Sequence, residues 1–167
     1  MANLTHRGDS QRRPLPDLLF EQASKLSEEG KLAAAFGLFL KSAEAGDLGA
    51  QLNIGNLYID GIGVRRNRTL ALEWYRRAYR QGYGPAASNL GAVYRNEGKL
   101  QRALLWFERA ASLKDGDANL EIAKILLRKR DVLNATRYLK KTLAAGTRYV
   151  TEASKEEARS LLRQLGK

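Results

Sequence analysis

Twenty-nine lysines and arginines against 18 aspartates and glutamates give this 167-residue chain a net charge of +11, and it has one histidine and no cysteine. That composition excludes disulfides, thiol nucleophiles and cysteine-ligated metals, and it leaves no second histidine for a Ser–His or Cys–His site. No apolar run reaches the roughly 18 residues that a spanning helix needs, so no segment is expected to cross a membrane.

In chain order, residues 1–13 are polar and show no period, and Pro14 and Pro16 disfavour a helix through them. Residues 1–16 therefore read as a flexible basic tail and 17–167 as one repeat domain. The opening MANLTHRGDSQRRPLP lacks the apolar centre of a secretory leader, so a chain starting at Met1 is expected to be cytoplasmic. Asp17 reads as the N-cap of a helix that stops before Gly30. Residues 31–45 are apolar on most faces and are expected to be well buried; Gly46 ends them.

From there the chain matches itself. LNIGNLYIDG (52–61) recurs as SNLGAVYRNEG (88–98), and ALEWYRRAYRQG (71–82) recurs as ALLWFERAASLK (103–114). Ala35, Ala71, Ala103 and Ala135 are spaced by 36, 32 and 32 residues, and glycines follow 11 residues after three of them, at Gly46, Gly82 and Gly146. A period in this range predicts stacked antiparallel helix pairs. The first helix of each pair carries a small residue at a fixed place: Ala23, Gly55, Gly91, Ala123 and Ala158. Five residues before the last four stand Ala50, Ala86, Ala118 and Ala153. Small residues facing the partner helix let two backbones approach. Large ones nearby (Tyr58, Trp74, Tyr94, Trp106, Phe107, Tyr138) fill the space between successive pairs. The second pair has the longer loop, DGIGVRRNRT, in which Gly61 and Gly63 permit positive φ. The final stretch, TEASKEEARSLLRQLGK, is a lone first helix with a cap's polar outer face. The expected fold is all-α, a solenoid of four antiparallel helix pairs and a C-terminal capping helix. Leu161, Leu162 and Leu165 on the cap suit either solvent capping or a second copy, so the sequence leaves the oligomeric state open.

Ala50, Ile54-Gly55, Leu57-Tyr58, Gly61, Gly63-Val64, Ala71-Leu72-Glu73-Trp74-Tyr75-Arg76-Arg77-Ala78 and Gly82 together resemble a Sel1-like repeat. The third and fourth pairs, with shorter loops, are closer to tetratricopeptide repeats or to eroded Sel1-like ones. The resemblance covers roughly residues 17–165. It implies a right-handed α-solenoid that binds protein partners as an adaptor, or in some bacterial members as an inhibitor of toxic effectors. It also implies that the first helices line a concave inner face.

On that analogy the exposed inner positions lie one, four and five residues after each small residue, with another three before it. They select Asn56, Arg95, Asn96, Lys124, Leu127, Arg128, Lys155, Arg159 and Arg163 as partner-binding residues, with Ile59, Asp60, Ala92, Leu162, Leu52, Ser88 and Leu120 beside them. The C-terminal part of this set is basic with leucines interleaved. It suits an acidic, partly apolar segment whose carboxylates accept charge-assisted hydrogen bonds from the arginines, with Leu120, Leu127 and Leu162 burying apolar side chains.

Charge alone does not choose the partner. Residues 1–84 hold 12 basic and 9 acidic side chains (+3), and residues 85–167 hold 17 and 9 (+8). Such a surface attracts acidic proteins, nucleic acid or anionic lipid. A second reading is nucleic-acid binding by Arg65, Arg66, Arg68, Arg76, Arg77 and Arg80, where arginines interleave with Trp74 and Tyr75. The competing reading of Trp74 is a packing position of the repeat. The densest block, residues 120–150, holds Lys124, Arg128, Lys129, Arg130, Arg137, Lys140, Lys141 and Arg148 against Glu121 and Asp131. Arg7, Arg12 and Arg13 in the tail attract an anionic lipid surface only weakly. The GIGV turn lacks the lysine–serine of a phosphate loop. No cofactor, metal or catalytic residue is expected, and the chain reads as a binding protein rather than an enzyme.

Overall fold

The computed structural model describes residues 15–146 and 149–166, and the tail up to Pro14 lies outside the described residues, as do Thr147, Arg148 and Lys167. Among the described residues there are nine helices and no strand: α1 (Leu15–Glu28), α2 (Leu32–Glu44), α3 (Leu48–Asp60), α4 (Arg68–Arg80), α5 (Gly84–Asn96), α6 (Leu100–Ser112), α7 (Asp117–Arg128), α8 (Val132–Ala144) and α9 (Glu152–Gln164). This is the all-α helical-repeat class that the periodicity predicts. The chain divides into two compact units at Asn67/Arg68, where the longest loop ends and α4 begins.

The first unit holds α1–α3. Helix α1 starts two residues ahead of the Asp17 cap expected from sequence. Pro16 sits in its first turn, where a missing N–H forfeits no helical bond. Ala23, Ala35, Phe39, Ala43, Ala50 and Ile54 are buried, with the Phe20 and Phe39 rings edge to face at 5.3 Å. Two buried polar side chains find backbone acceptors: Ser42 Oγ donates to the Pro16 carbonyl at 2.8 Å, and Gln51 Nε2 to the Ala43 carbonyl at 3.1 Å. Residues 31–45 are less enclosed than expected. Burial in α2 is confined to Ala35, Phe39, Ser42 and Ala43, and Leu32, Ala33 and Ala34 are exposed, because α1 and α3 cover only one side of the helix. Gly63 is fixed by space as well as by its φ of +69°: a Cβ there would stand 2.3 Å from the Leu32 carbonyl oxygen.

The second unit holds α4–α9, each helix packed on the next. Ala103, Phe107, Ala118, Ile122 and Ile125 form one buried cluster and Leu120, Ala123, Leu139, Ala158 and Leu162 another. The fixed small positions are where the sequence puts them: Ala23, Gly55, Gly91, Ala123 and Ala158 are all buried. At Gly91 the backbone meets a ring directly, since a Cβ would lie 2.8 Å from Phe107. Tyr94 and Phe107 are buried as filler residues, but Tyr75 rather than Trp74 takes the buried place in α4. Ala153 is exposed.

The turns share one chemistry. After α1, α5 and α7 the C′ residue is left-handed, and the next N–H reaches back to the helix: Lys31 to the Leu26 carbonyl, Lys99 to Tyr94 and Asp131 to Leu126. After α2, α4 and α6 the same bonds run from Asp47 to Ser42, Tyr83 to Ala78 and Asp115 to Ala110. This is the Schellman C-cap, which normally takes glycine. Glycine occupies it at Gly30, Gly98, Gly46 and Gly82, but Lys114 (φ 65°) and Arg130 (φ 61°) occupy the other two. Gly146, the third glycine of the sequence series, has no positive φ. A left-handed non-glycine residue costs about 1–2 kcal/mol, against the ~0.5–1 kcal/mol of extra chain entropy that glycine loses on folding. Arg130→Gly is therefore expected to stabilise the protein by about 0.5–1 kcal/mol, read as a higher urea midpoint at unchanged slope, while Arg130→Ala should leave it nearly unchanged.

Candidate functional site

In the second unit the first helices α5, α7 and α9 share a face, and polar contacts stitch them together along it. Arg95 of α5 pairs with Glu121 of α7. Lys124, one turn further along α7, bonds Glu121 at 3.2 Å and Glu157 of α9 at 3.0 Å. Burial alone would pull the Lys124 ammonium down, but the Glu157 and Glu121 carboxylates outweigh it and hold the group above its ordinary value. On α9, Glu156 accepts from Arg159 at 3.0 Å and Arg163 at 3.2 Å, and these two guanidinium groups hold its carboxyl below the usual range. Lys155 pairs with Glu152 at 3.7 Å.

The predicted binding residues thus separate into groups. Arg95 and Lys124 are engaged in ion pairs that join helices, and Asn96 is exposed and accepts from Arg95. Lys155, Arg159 and Arg163 pair within α9, and the last two remain well exposed. Arg128 is exposed and makes no ion pair or hydrogen bond among the described residues. Leu127 is half-buried, but Leu120 and Leu162 are core residues, closed off from any partner by their packing around Ala123, Leu139 and Ala158. Asn56 is half-buried in the first unit.

The acids of this face went unrecognised in the sequence. A cavity of about 390 Å³ between α5 and α7 is lined by Ser88, Ala92, Arg95, Asp115, Asp117 and Glu121 among others, so carboxylates outnumber the guanidinium there. Glu121 carries one available signal, its i,i+3 spacing from Lys124. Asp115 accepts from Ser88 Oγ at 2.7 Å, and burial pushes its carboxyl up despite that bond. Acids occupy the first turns of α7 and α9 (Asp117, Glu152), and bases the last turns of α5, α7 and α9 (Arg95, Arg128, Arg163). That polarity complements the helix macrodipoles and divides the face into an acidic edge and a basic one.

The arginines of the alternative patch are disposed differently. Arg65, Arg66 and Arg80 are exposed. Arg76 Nη2 reaches the Tyr94 hydroxyl at 3.5 Å, Arg77 lies 5.0 Å over the Trp74 ring, and Arg68 pairs with Glu97. With Trp74 half-buried and one face covered by Arg77, it is not an open stacking platform. Of the dense block, Lys129, Arg130, Arg137, Lys140 and Lys141 are exposed; Arg148 and the tail cations Arg7, Arg12 and Arg13 lie outside the described residues. Among the described residues no cluster of three acidic or histidine side chains could hold a metal ion, and no helix is long and apolar enough to cross a membrane.

Raised Asp115 makes a prediction with a definite sign. Folding favours its protonated form, so its contribution is fully present below the ordinary value of 3.8 and is lost as pH rises through the higher folded value. Asp115→Asn keeps an acceptor for Ser88 and never ionises. It should raise the urea midpoint at pH 7, with the gain shrinking toward zero as the pH falls below that ordinary value.

Comparison with known proteins places the repeat. A family model described as Sel1 repeat matches residues 31–47, 49–83 and 85–115. The putative sel1-like repeat-containing protein L21 of Acanthamoeba polyphaga mimivirus is 30% identical over 82 residues, 49% of this chain and 15% of that protein. The crystal structure of a Sel1 repeat protein from Oxalobacter formigenes superposes with a TM-score of 0.66 at 26% identity, over 78% of this chain and 58% of that one. That of c5321, a protective antigen of uropathogenic Escherichia coli strains with an SLR fold, gives 0.68 at 20% identity, over 91% and 34%. The chain spans less than two thirds of each of these relatives.

Proposed function

Because the chain belongs to the Sel1 repeat family, we propose that it is a protein-interaction scaffold, and that an acidic segment of its partner docks on the basic edge formed by Arg128, Arg159 and Arg163. The observation that carries this reading is Arg128: an exposed guanidinium with no ion partner among the described residues, one turn beyond the Lys124 that ties α7 to α9. Arg159 and Arg163 share Glu156, but exposed pairs of this kind are worth about 0–1 kcal/mol. A partner carboxylate can displace Glu156 with little loss, and bidentate guanidinium–carboxylate bonds then fix its orientation. The acidic edge at Asp115, Asp117 and Glu121 repels that same segment, so the polarised face also sets the direction in which it lies. Association is steered by the charge of the second half of the chain and weakens with salt. In its narrower form the scaffold is a regulator that covers an acidic site on an effector. No catalytic step is part of this role.

The test is affinity capture from the source cell's lysate at moderate salt after nuclease treatment. The unmodified chain should retain a protein partner in defined stoichiometry, and Arg128→Glu with Arg159→Glu should weaken that binding by about tenfold or more, equivalent to ~1.4 kcal/mol. Arg65→Glu with Arg66→Glu, both on the exposed loop, should not. Equal retention by a folded Arg128/Arg159 variant rules out the basic edge. Recovery only of nucleic acid, and of proteins lost on nuclease treatment, assigns the arginines to a nucleic-acid role instead.

A further inference from the structure

The second helices of the second unit carry a different surface. Two adjoining cavities of about 400 and 250 Å³ run along α6 and α8 and share Glu108, Ile122, Tyr138 and Lys141. Part of their wall is apolar: Leu104 and Leu126 line it half-buried, and Ile122 closes it from beneath. Their rim is cationic on the α8 side, where Arg137 is exposed and Lys141 Nζ stands 4.5 Å over the Tyr138 ring. Two leucines are left in solvent on these same helices, Leu105 at 47% and Leu133 at 83% exposure.

The repeat explains why the groove opens there. Trp74 with Arg77, Trp106 with Arg109 and Tyr138 with Lys141 stand at 32-residue intervals, each ring covered by the cation three residues on, at 5.0, 4.6 and 4.5 Å. Trp106 also packs edge to face on Tyr79 at 5.2 Å. The last ring of the series is the smaller tyrosine, and the cavities lie beside it.

We propose that this α6–α8 groove is a second docking site, and that its occupant is an acidic amphipathic helix of a partner protein. A helix seats its apolar ridge between two others and is anchored at three- and four-residue intervals. Here the ridge meets Leu104 and Leu126, the exposed Leu105 and Leu133 stand on the flanking helices, and its carboxylates meet Arg137 and Lys141. The chain's own tail, with Arg7, Arg12 and Arg13 against a single Asp9, has the wrong charge for this place. A nucleic acid gains nothing from the apolar side chains at Leu104, Leu126 and Leu133. A scaffold with this groove and the basic edge of α7 and α9 bridges two acidic partners, and this second site does not depend on the first.

The probe is a fluorescein-labelled, helix-forming 18-residue peptide of glutamate, alanine and leucine, with its leucines on one face, read by fluorescence anisotropy. The unmodified chain should bind it saturably. Arg137→Glu with Lys141→Glu should weaken binding at least tenfold, and Leu133→Ser, a substitution too exposed to disturb folding, several-fold. Arg128→Glu with Arg159→Glu should leave it unchanged, which separates this site from the basic edge, and a peptide with serine for leucine should not bind. Absence of saturable binding, binding indifferent to Arg137, Lys141 and Leu133, or displacement by a generic oligonucleotide would overturn the proposal. So would a concentration-dependent dimer abolished by Leu133→Ser, which would assign the groove to a second copy of the chain.

Discussion

One close approach governs the second unit. Gly91 of α5 leaves the space that the Phe107 ring of α6 fills, with the carbon of even the smallest side chain excluded at 2.8 Å. Phe107 is buried and in turn packs with Ile122 and Ile125 of α7. The hairpin distance within one pair and the stacking of the next pair are thus set at a single ring. Interiors packed at this density transmit any change in side-chain volume to their neighbours. The face of α5, α7 and α9 and the groove of α6 and α8 are the two sides of that packing, and neither can shift without it.

The charge of the chain is distributed over this frame in two ways. Part of it is structural: Arg95, Glu121, Lys124 and Glu157 alternate in sign across three helices, so each cation is neutralised by the helix beside it. The remainder is left to solvent at Arg128, at Arg137 and along Lys140 and Lys141. Net charge is therefore a poor guide to where a partner sits. The informative cations are those that the fold leaves without a carboxylate.

The architecture was legible in the sequence because repeats turn local chemistry into a period. Ala23, Gly55, Gly91, Ala123 and Ala158 declared the close contacts, and the glycines eleven residues after Ala35 and Ala71 recurred with the repeat and stand at left-handed turns. Lys114 and Arg130 take the same conformation without glycine, which no residue-type rule detects. At the site, the analogy chose positions but not neighbours. It assigned Leu120 and Leu162 to a groove although the arrival of α9 buries them in a core. It read Arg95 and Lys124 as free cations because their carboxylates come from other helices, and that pairing depends on inter-helix register. Asp117 sits in the first turn of a helix, where dipole complementarity accounts for it without any function, and Glu121 is accounted for by its pairing with Arg95 and Lys124.

The most direct measurement is a double-mutant cycle on the close approach, with Gly91→Leu and Phe107→Ala made singly and together and stabilities taken from urea unfolding. The single changes should destabilise by about 1–3 kcal/mol or more through overpacking and by about 3–5 kcal/mol through loss of the ring. The pair should cost clearly less than their sum, since the missing ring makes room for the new leucine. An unchanged midpoint for Gly91→Leu, or strict additivity of the two, would contradict the contact from which the arrangement of both faces follows.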